Sequence, residues 1–238
     1  MSVVLTERDV LILVPAFNEA ASIGDVIKEL KMHSYDILVI SDGSTDATAQ
    51  IARASGARVL DLPINLGVGG ALRAGFRLAV TENYGAVVQV DADGQHPVNE
   101  IAELITAANE HHAHMVIGSR FLSPGTSMQV GLTRRMVMRV LARSSSKATG
   151  ITITDTTSGF RIITQPLLAK FAQSFPTNYL GDTYEAVVAA GRAGYKVVEI
   201  PAALRKRSAG ESTASVAQSV RFTLKGLVVA LLHLHPRI

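Results

Sequence analysis

Between Val10 and about Ala108, apolar runs alternate with segments whose apolar residues recur at helical spacing. Val10–Val14, Ile37–Ile40, Arg58–Leu62 and Ala86–Val90 read as strands. Ile23, Val26, Ile27 and Leu30 share one helical face; Ala47, Ile51 and Ala54 mark a second helix, started by a Ser44 cap, and Leu78 and Val80 a third. This alternation specifies an α/β fold with a mostly parallel central sheet flanked by helices on both faces. In such a sheet the carboxyl ends of the strands lie on one side, and the loops that follow them share a crevice.

Those loops carry the chemistry. Val87-Val88-Gln89-Val90 runs into Asp91-Ala92-Asp93-Gly94-Gln95-His96-Pro97, so an apolar strand delivers two carboxylates one residue apart to its carboxyl end. Hard oxygen ligands in this position suit Mg²⁺ or Mn²⁺, which complete their shells with substrate phosphates. The alternative is a polar turn that starts a helix at Pro97. A calcium loop of the EF-hand type is a poor match, because its sixth position needs Gly and holds His96. Glu19, after Pro15-Ala16-Phe17-Asn18, and Asp42, in Ser41-Asp42-Gly43-Ser44-Thr45-Asp46, end two other strands. They can converge on Asp91 and Asp93 and accept hydrogen bonds from a base or ribose; each is also a common helix-start residue. Asn65-Leu66-Gly67-Val68-Gly69-Gly70-Ala71-Leu72 fails the dinucleotide fingerprint at Leu72 and lacks a Walker lysine, and reads as a tight turn with close helix packing whose backbone N–H groups a diphosphate could still approach.

Beyond Ala108 the pattern changes. Met115–Gly118 is a further strand ending in Ser119-Arg120. Arg134, Arg135, Arg139 and Arg143 lie among apolar residues as the cationic face of a helix. Asp155-Thr156-Thr157-Ser158-Gly159 is a polar turn before strand-like Arg161–Ile163. Tyr184–Gly191 is helical and Val197–Ile200 a strand. Leu204–Ser212 is basic and contains Gly210, as a loop that closes over a diphosphate would be. Over Ser215–Leu234 an apolar stripe follows Arg221 and Lys225. It fits an interfacial helix or a helix docked on the domain or on a partner, and its apolar part is too short and interrupted to span a bilayer, which takes ~20 apolar residues.

Composition excludes more than it selects. The 238 residues suffice for one large α/β domain. No Cys is present, which rules out disulfides and thiolate metal sites. No basic-then-apolar leader opens the chain. A net charge of +3 favours anionic partners without demanding nucleic acid. His111, His112 and His114 sit in a polar connection and carry no metal-ligand spacing.

Taken in order, Val14-Pro15-Ala16-Phe17-Asn18-Glu19, Ser41-Asp42-Gly43-Ser44-Thr45-Asp46, Asn65-Leu66-Gly67, Asp91-Ala92-Asp93-Gly94-Gln95-His96-Pro97, Gly118-Ser119-Arg120, Thr157-Ser158-Gly159-Phe160-Arg161 and Arg207-Ser208-Ala209-Gly210-Glu211-Ser212 resemble glycosyltransferase family 2, of GT-A fold. Within it the likeness is greatest to the polyprenyl-phosphate (dolichyl-phosphate) mannosyl- and glucosyltransferases. The resemblance implies a catalytic domain over 1–213 and a C-terminal amphipathic helix over 214–238. It implies an inverting, metal-dependent transfer of mannose or glucose from GDP-mannose or UDP-glucose to a polyprenyl phosphate. Pro15, Ala16, Glu19, Asp42 and Asp91 would hold the nucleotide sugar, with Ser158 and Gly159 lining the sugar pocket. Asp91, Asp93 and Gln95 would bind Mg²⁺ or Mn²⁺. Asp93 and Arg207 would act on the departing diphosphate, and Arg120 and Arg134 would meet the acceptor phosphate. The chain departs from the family pattern at Ser41, where many relatives carry Asp, and at Thr213, where a Lys often follows.

Relatives that use hydroxyl acceptors carry a base that would fall at Thr183, beside Asp182, so the resemblance favours a phosphate acceptor. Asp182 or Glu185 would have to substitute. The implied setting is cytoplasmic, peripheral on the cytoplasmic face of a membrane, with an integral-membrane partner or a second copy as companions. The competing expectations are a family 2 enzyme that glycosylates a saccharide or protein hydroxyl, and a non-catalytic nucleotide-binding module.

Overall fold

The computed structural model describes residues 4–122, 132–176, 182–203 and 205. Strands β1 (Val10–Ala16), β2 (Asp36–Asp42), β3 (Arg58–Leu62), β4 (Ala86–Gln89), β5 (Met115–Ser119), β6 (Arg161–Thr164) and β7 (Val197–Pro201) form one sheet. Among the described residues its order is β3-β2-β1-β4-β6-β5-β7. Only β6 runs against its neighbours, pairing antiparallel with β4 and with β5, while the other recorded pairings are parallel. The expected mostly parallel sheet is present. Strand direction at Arg161 was not readable, because an apolar run has no polarity of its own.

Each strand of the centre is buried on both faces, as parallel strands covered by helices must be. Odd and even residues of β1 therefore enter different cores. Val10, Ile12 and Val14 pack with α1 (Ile23–Lys31), α2 (Thr48–Ala54) and α4 (Ile101–His111). Leu11 and Leu13 pack with α3 (Val68–Thr81), α6 (Leu167–Ser174) and α7 (Asp182–Arg192). The face read from Ile23, Val26, Ile27 and Leu30 is the buried face of α1. Gly75 lets α3 lie close on the sheet: a Cβ there would stand 3.1 Å from Leu13 and 3.2 Å from Ile40. The remaining helix, α5 (Leu132–Thr149), carries Arg139 and Arg143 exposed to solvent.

Ser44 does not cap α2. That helix begins at Thr48, and Asp46 Oδ1 accepts the Thr48 N–H at 2.9 Å. A carboxylate two residues before the helix reaches its first donors, and Ser44 turns back to the β1 loop, where its hydroxyl accepts from Asn18 N–H at 3.2 Å.

The strand order positions the site. The chain passes outward from β1 to β3 and returns to β4 on the other side of β1. The loops after β1 and β4 thus leave adjacent strands in opposite directions, which opens a crevice at their carboxyl ends.

Candidate active site

The loop after β1 is stitched to the loop after β2. Glu19 N–H donates to Thr48 Oγ1 at 2.8 Å, and Asn18, in the left-handed region, accepts from Thr45 N–H at 2.8 Å. Glu19 also accepts from Ser22 Oγ at 3.0 Å through its carboxylate. Ala16 is buried beside Ser41 in register, and Pro15 is half-buried. Asp42 is buried and ties down a third loop: its Oδ1 accepts from Leu66 N–H at 2.7 Å, and its carbonyl accepts from Asn65 Nδ2 at 3.1 Å. Gly43 lies where a Cβ would meet Asn65 N at 2.6 Å. Glu19, Asp42 and the Asn65-Leu66-Gly67 turn are one hydrogen-bonded unit.

Asp91 stands across the crevice, just past β4. Its backbone N–H donates to His96 Nδ1 at 2.9 Å, and His96 Nε2 lies 3.4 Å from Asp91 Oδ2. A ring nitrogen that accepts a backbone N–H carries no proton, so the proton of the neutral ring sits on Nε2, toward the carboxylate. His96 is buried and packs on Phe160 at 5.2 Å. Gln89 Nε2 donates to Asp91 Oδ1 at 3.3 Å. Gly159 presses on the same group: a Cβ there would be 3.1 and 3.2 Å from the two carboxylate oxygens. The Asp91 side chain nevertheless stays 41 % exposed, open to the crevice. Asp93 Oδ1 accepts from Gln95 N–H at 3.0 Å, which holds the turn. Gln95 carbonyl accepts from Arg205 N–H at 2.8 Å. The segment leading into the basic stretch is therefore fastened to the Asp91–Gln95 loop.

On the β5 side, Arg120 meets Asp155 through Nε and Nη2 at 2.7 and 2.8 Å. Asp155 is fully buried, and its N–H donates to Glu199 Oε1 at 2.7 Å. The hydrogen bond to Asp155, its charge and then that of Asp91 hold the Arg120 guanidinium above its ordinary range, against the effect of burial. Ser158 is buried and donates to the Gly118 carbonyl at 2.6 Å, which anchors the turn that brings Gly159 to Asp91. An open cavity nearby is lined by Leu122, Ile151, Thr154, Val198 and Glu199 and includes none of the crevice carboxylates.

A family model, "Glycosyl transferase family 2", matches residues 11–171, from β1 through β6 and into α6. The chain belongs to glycosyl transferase family 2. An undecaprenyl-phosphate mannosyltransferase of Micrococcus luteus is 29 % identical over 214 residues, covering 87 % of either chain. A UDP-N-acetylglucosamine–dolichyl-phosphate N-acetylglucosaminyltransferase of Methanococcus voltae is 26 % identical, covering 83 % of this chain and 86 % of that one. The fold matches the glucosyl-3-phosphoglycerate synthase of Mycobacterium tuberculosis solved with Mg²⁺ and UDP. The TM-score is 0.70 at 22 % identity, over 94 % of this chain and 79 % of that one. This family 2 glycosyltransferase thus has the GT-A fold.

Its carboxylates fit a divalent cation of a particular kind. Among the described residues no group of three or more His, Cys, Asp or Glu side chains could hold a metal unaided. Asp91 and Asp93 offer a short donor set of hard oxygens; the Gln89 amide donates to Asp91 Oδ1, and the His96 ring lies 3.4 Å from Oδ2. Mg²⁺ and Mn²⁺ use such pairs and take the rest of their shell from phosphate and water. Asp182 and Arg134 have side chains outside the described residues, as do Arg207 and the amphipathic segment over 214–238 in full. Among the described residues no helix is long and apolar enough to cross a membrane.

Sequence reasoning passed over Gln89, His96, Asp155, Arg161 and Glu199. Gln89 gave a signal, as a polar residue inside Val87-Val88-Gln89-Val90. The partners of Asp155, Arg161 and Glu199 lie tens of residues away and left none, and His96, five residues after its partner Asp91, read only as part of the acidic loop.

Proposed function

We propose that this chain transfers a hexose from a nucleotide sugar to a polyprenyl phosphate, with inversion at the anomeric carbon and with Mg²⁺ or Mn²⁺ bound. The observation that carries this reading is what stands at the position of a hydroxyl-activating base. Thr183 occupies it, and the Thr183 carbonyl accepts from Arg161 Nη1 at 3.4 Å, so this end of α7 abuts the residues behind Asp91. Glu185, the described alternative, is buried. A sugar or protein hydroxyl needs a base at attack, whereas a phosphate monoester is already ionised at neutral pH. The names of the two relatives, both enzymes of polyprenyl-type phosphates, point the same way.

In this reading the loops after β1 and β2 hold the nucleoside, with Pro15, Ala16, Glu19 and Asp42 around base and ribose. Asp91, Asp93 and Gln95 hold the cation, which supplies charge neutralisation to the departing diphosphate. Arg207 adds a second positive charge to that group. Arg120 and Arg134 take the acceptor phosphate, and Ser158 and Gly159 border the sugar. Arg120 suits this role because Asp155 fixes the direction of its fork before any ligand arrives. The amphipathic segment over 214–238 keeps the enzyme on the cytoplasmic face of a membrane, where its acceptor resides.

The test is product analysis with a polyprenyl phosphate as sole acceptor and GDP-mannose or UDP-glucose as donor. A lipid-linked sugar of inverted configuration is expected. Transfer to saccharide or peptide hydroxyls with no lipid product would replace this reading with the hydroxyl-acceptor one.

A further inference from the structure

We propose that Gln89 and Arg161 are positioning residues that aim the Asp91 carboxylate, a role that rests on the reading of Asp91 as a ligand of the cation and diphosphate. Gln89 and Arg161 are direct cross-strand partners where β4 meets the reversed strand β6. Arg161 is fully buried and Gln89 is 3 % exposed. Arg161 donates to Gln89 Oε1 from Nε at 3.2 Å and from Nη2 at 3.1 Å. A guanidinium has donors and no acceptor, so the amide must turn its oxygen to Arg161 and its NH₂ to Asp91.

The geometry around Asp91 is that of a box with one open side. The Gln89 NH₂ meets Oδ1, the His96 ring meets Oδ2, and Gly159 lies against the carboxylate. A buried guanidinium is a poor choice for core stability, since apolar residues of similar volume are often as good or better. Its presence behind a strand end needs another reason. A cation placed directly on Asp91 would compete with a metal for the same oxygens. A neutral amide, polarised from behind by Arg161, gives direction without that competition. Phe175 under the guanidinium, at 5.8 Å, and the Thr183 carbonyl keep Arg161 in place.

The experiment measures Mn²⁺ binding in the presence of GDP or UDP, whichever the wild type binds, by the loss of the free-Mn²⁺ electron paramagnetic resonance signal. Gln89→Met removes the donor to Asp91. Gln89→Glu also removes it while keeping an acceptor for Arg161, so a folded variant is available if Met is not tolerated. About a 10- to 100-fold weaker Mn²⁺ affinity is expected in the folded variants. In an Asp91→Asn background the Gln89 change should add little, since its effect runs through that carboxylate. Wild-type affinity in a folded Gln89 variant would overturn the proposal, as would an undiminished loss in the Asp91→Asn background. Wild-type Mn²⁺ affinity in Asp91→Asn itself would instead overturn the metal reading of Asp91, and this role with it.

Discussion

Arg120 and Asp155 form a two-point ion pair in which the carboxylate has no exposed surface and the guanidinium side chain keeps 24 % of its own. The acid is rooted: Thr157 N–H donates to it at 3.2 Å, and Glu199 holds the backbone of the same turn. The base faces outward. Arg120→Ala would leave a buried carboxylate without its cation, and urea unfolding should show a loss of about 3 kcal/mol. Arg120→Lys keeps the charge and loses the fork, so the loss should be about half as large. Steady-state kinetics on Arg120→Lys should show a raised KM for the polyprenyl phosphate with that for the donor little changed. Equal effects on both would remove Arg120 from the acceptor site.

Gly159 makes a sharper case, because what a methyl group would strike is known. Its Cβ would come 2.9 Å from Gln89 Nε2 and 3.1 Å from Asp91 Oδ1. Gly159→Ala must therefore push the carboxylate off its position, and overpacking of this kind costs about 1–3 kcal/mol. Unfolding measurements should show that cost, and calorimetry with nucleoside diphosphate and Mn²⁺ should show weakened binding. Unaltered binding would mean that the direction of Asp91 does not matter.

The pH dependence of stability should carry a trace of His114. Burial, and secondarily the Lys196 charge, lower its pKa below the ordinary 6.5. The unfolded chain then takes up a proton in a range where the folded chain does not. Stability from this group is complete above pH 6.5, falls as the pH drops, and levels off once the folded value is passed. His114 Nδ1 accepts from Lys196 N–H at 3.0 Å, so His114→Asn can keep an acceptor there while removing the titration. Melting temperatures of this variant should decline less than those of wild type below pH 6.5. Parallel curves would show that the His114 proton is not linked to folding.

The alternation of apolar runs revealed β1 to β4 and the shared side of the sheet where the loops after them emerge, because burial on both faces leaves Val, Ile and Leu little choice. It could not show that β6 is inserted in reverse between β4 and β5, since Arg161–Ile163 reads alike in either direction. The acidic pair was visible as Asp91-Ala92-Asp93. What orients it was not: Gln89 meets Arg161, 72 residues later, and Gly159 reaches Asp91 only because that reversal folds the Ser158 turn against β4. Asp155 read as a turn residue, and turn residues are common; its burial is a tertiary fact. The Ser44 cap was a reasonable inference from residue type that the nearby Asp46 carboxylate displaced.

The proposed membrane role predicts a binding difference that depends on charge. Deletion of Ser215–Ile238 removes an apolar stripe together with Arg221 and Lys225. Sedimentation with vesicles containing anionic lipid should show weaker binding by the shortened protein, and added salt should narrow the gap. Binding equal to that of the full chain would assign the segment to docking instead.

Asp93 separates chemistry from folding most cleanly. Its Oδ1 holds the loop by accepting from Gln95 N–H at 3.0 Å, a bond that an amide oxygen can replace. Asp93→Asn should therefore leave the melting temperature within a few degrees of wild type, since the turn bond is kept. Asp93→Ala also gives up the turn bond, at a further cost of about 1 kcal/mol. In the proposed site both variants would withdraw a negative oxygen from the cation, and with it part of the support for the leaving diphosphate. Turnover should fall about 100-fold or more in either. Chelation of the divalent cation should reduce wild-type turnover, and Mn²⁺ or Mg²⁺ added back should restore wild type but not the variants. If Asp93→Asn lost stability and turnover in proportion, the carboxylate would be a structural brace of the loop. Near-wild-type turnover would put the cation, if one is used, on other oxygens.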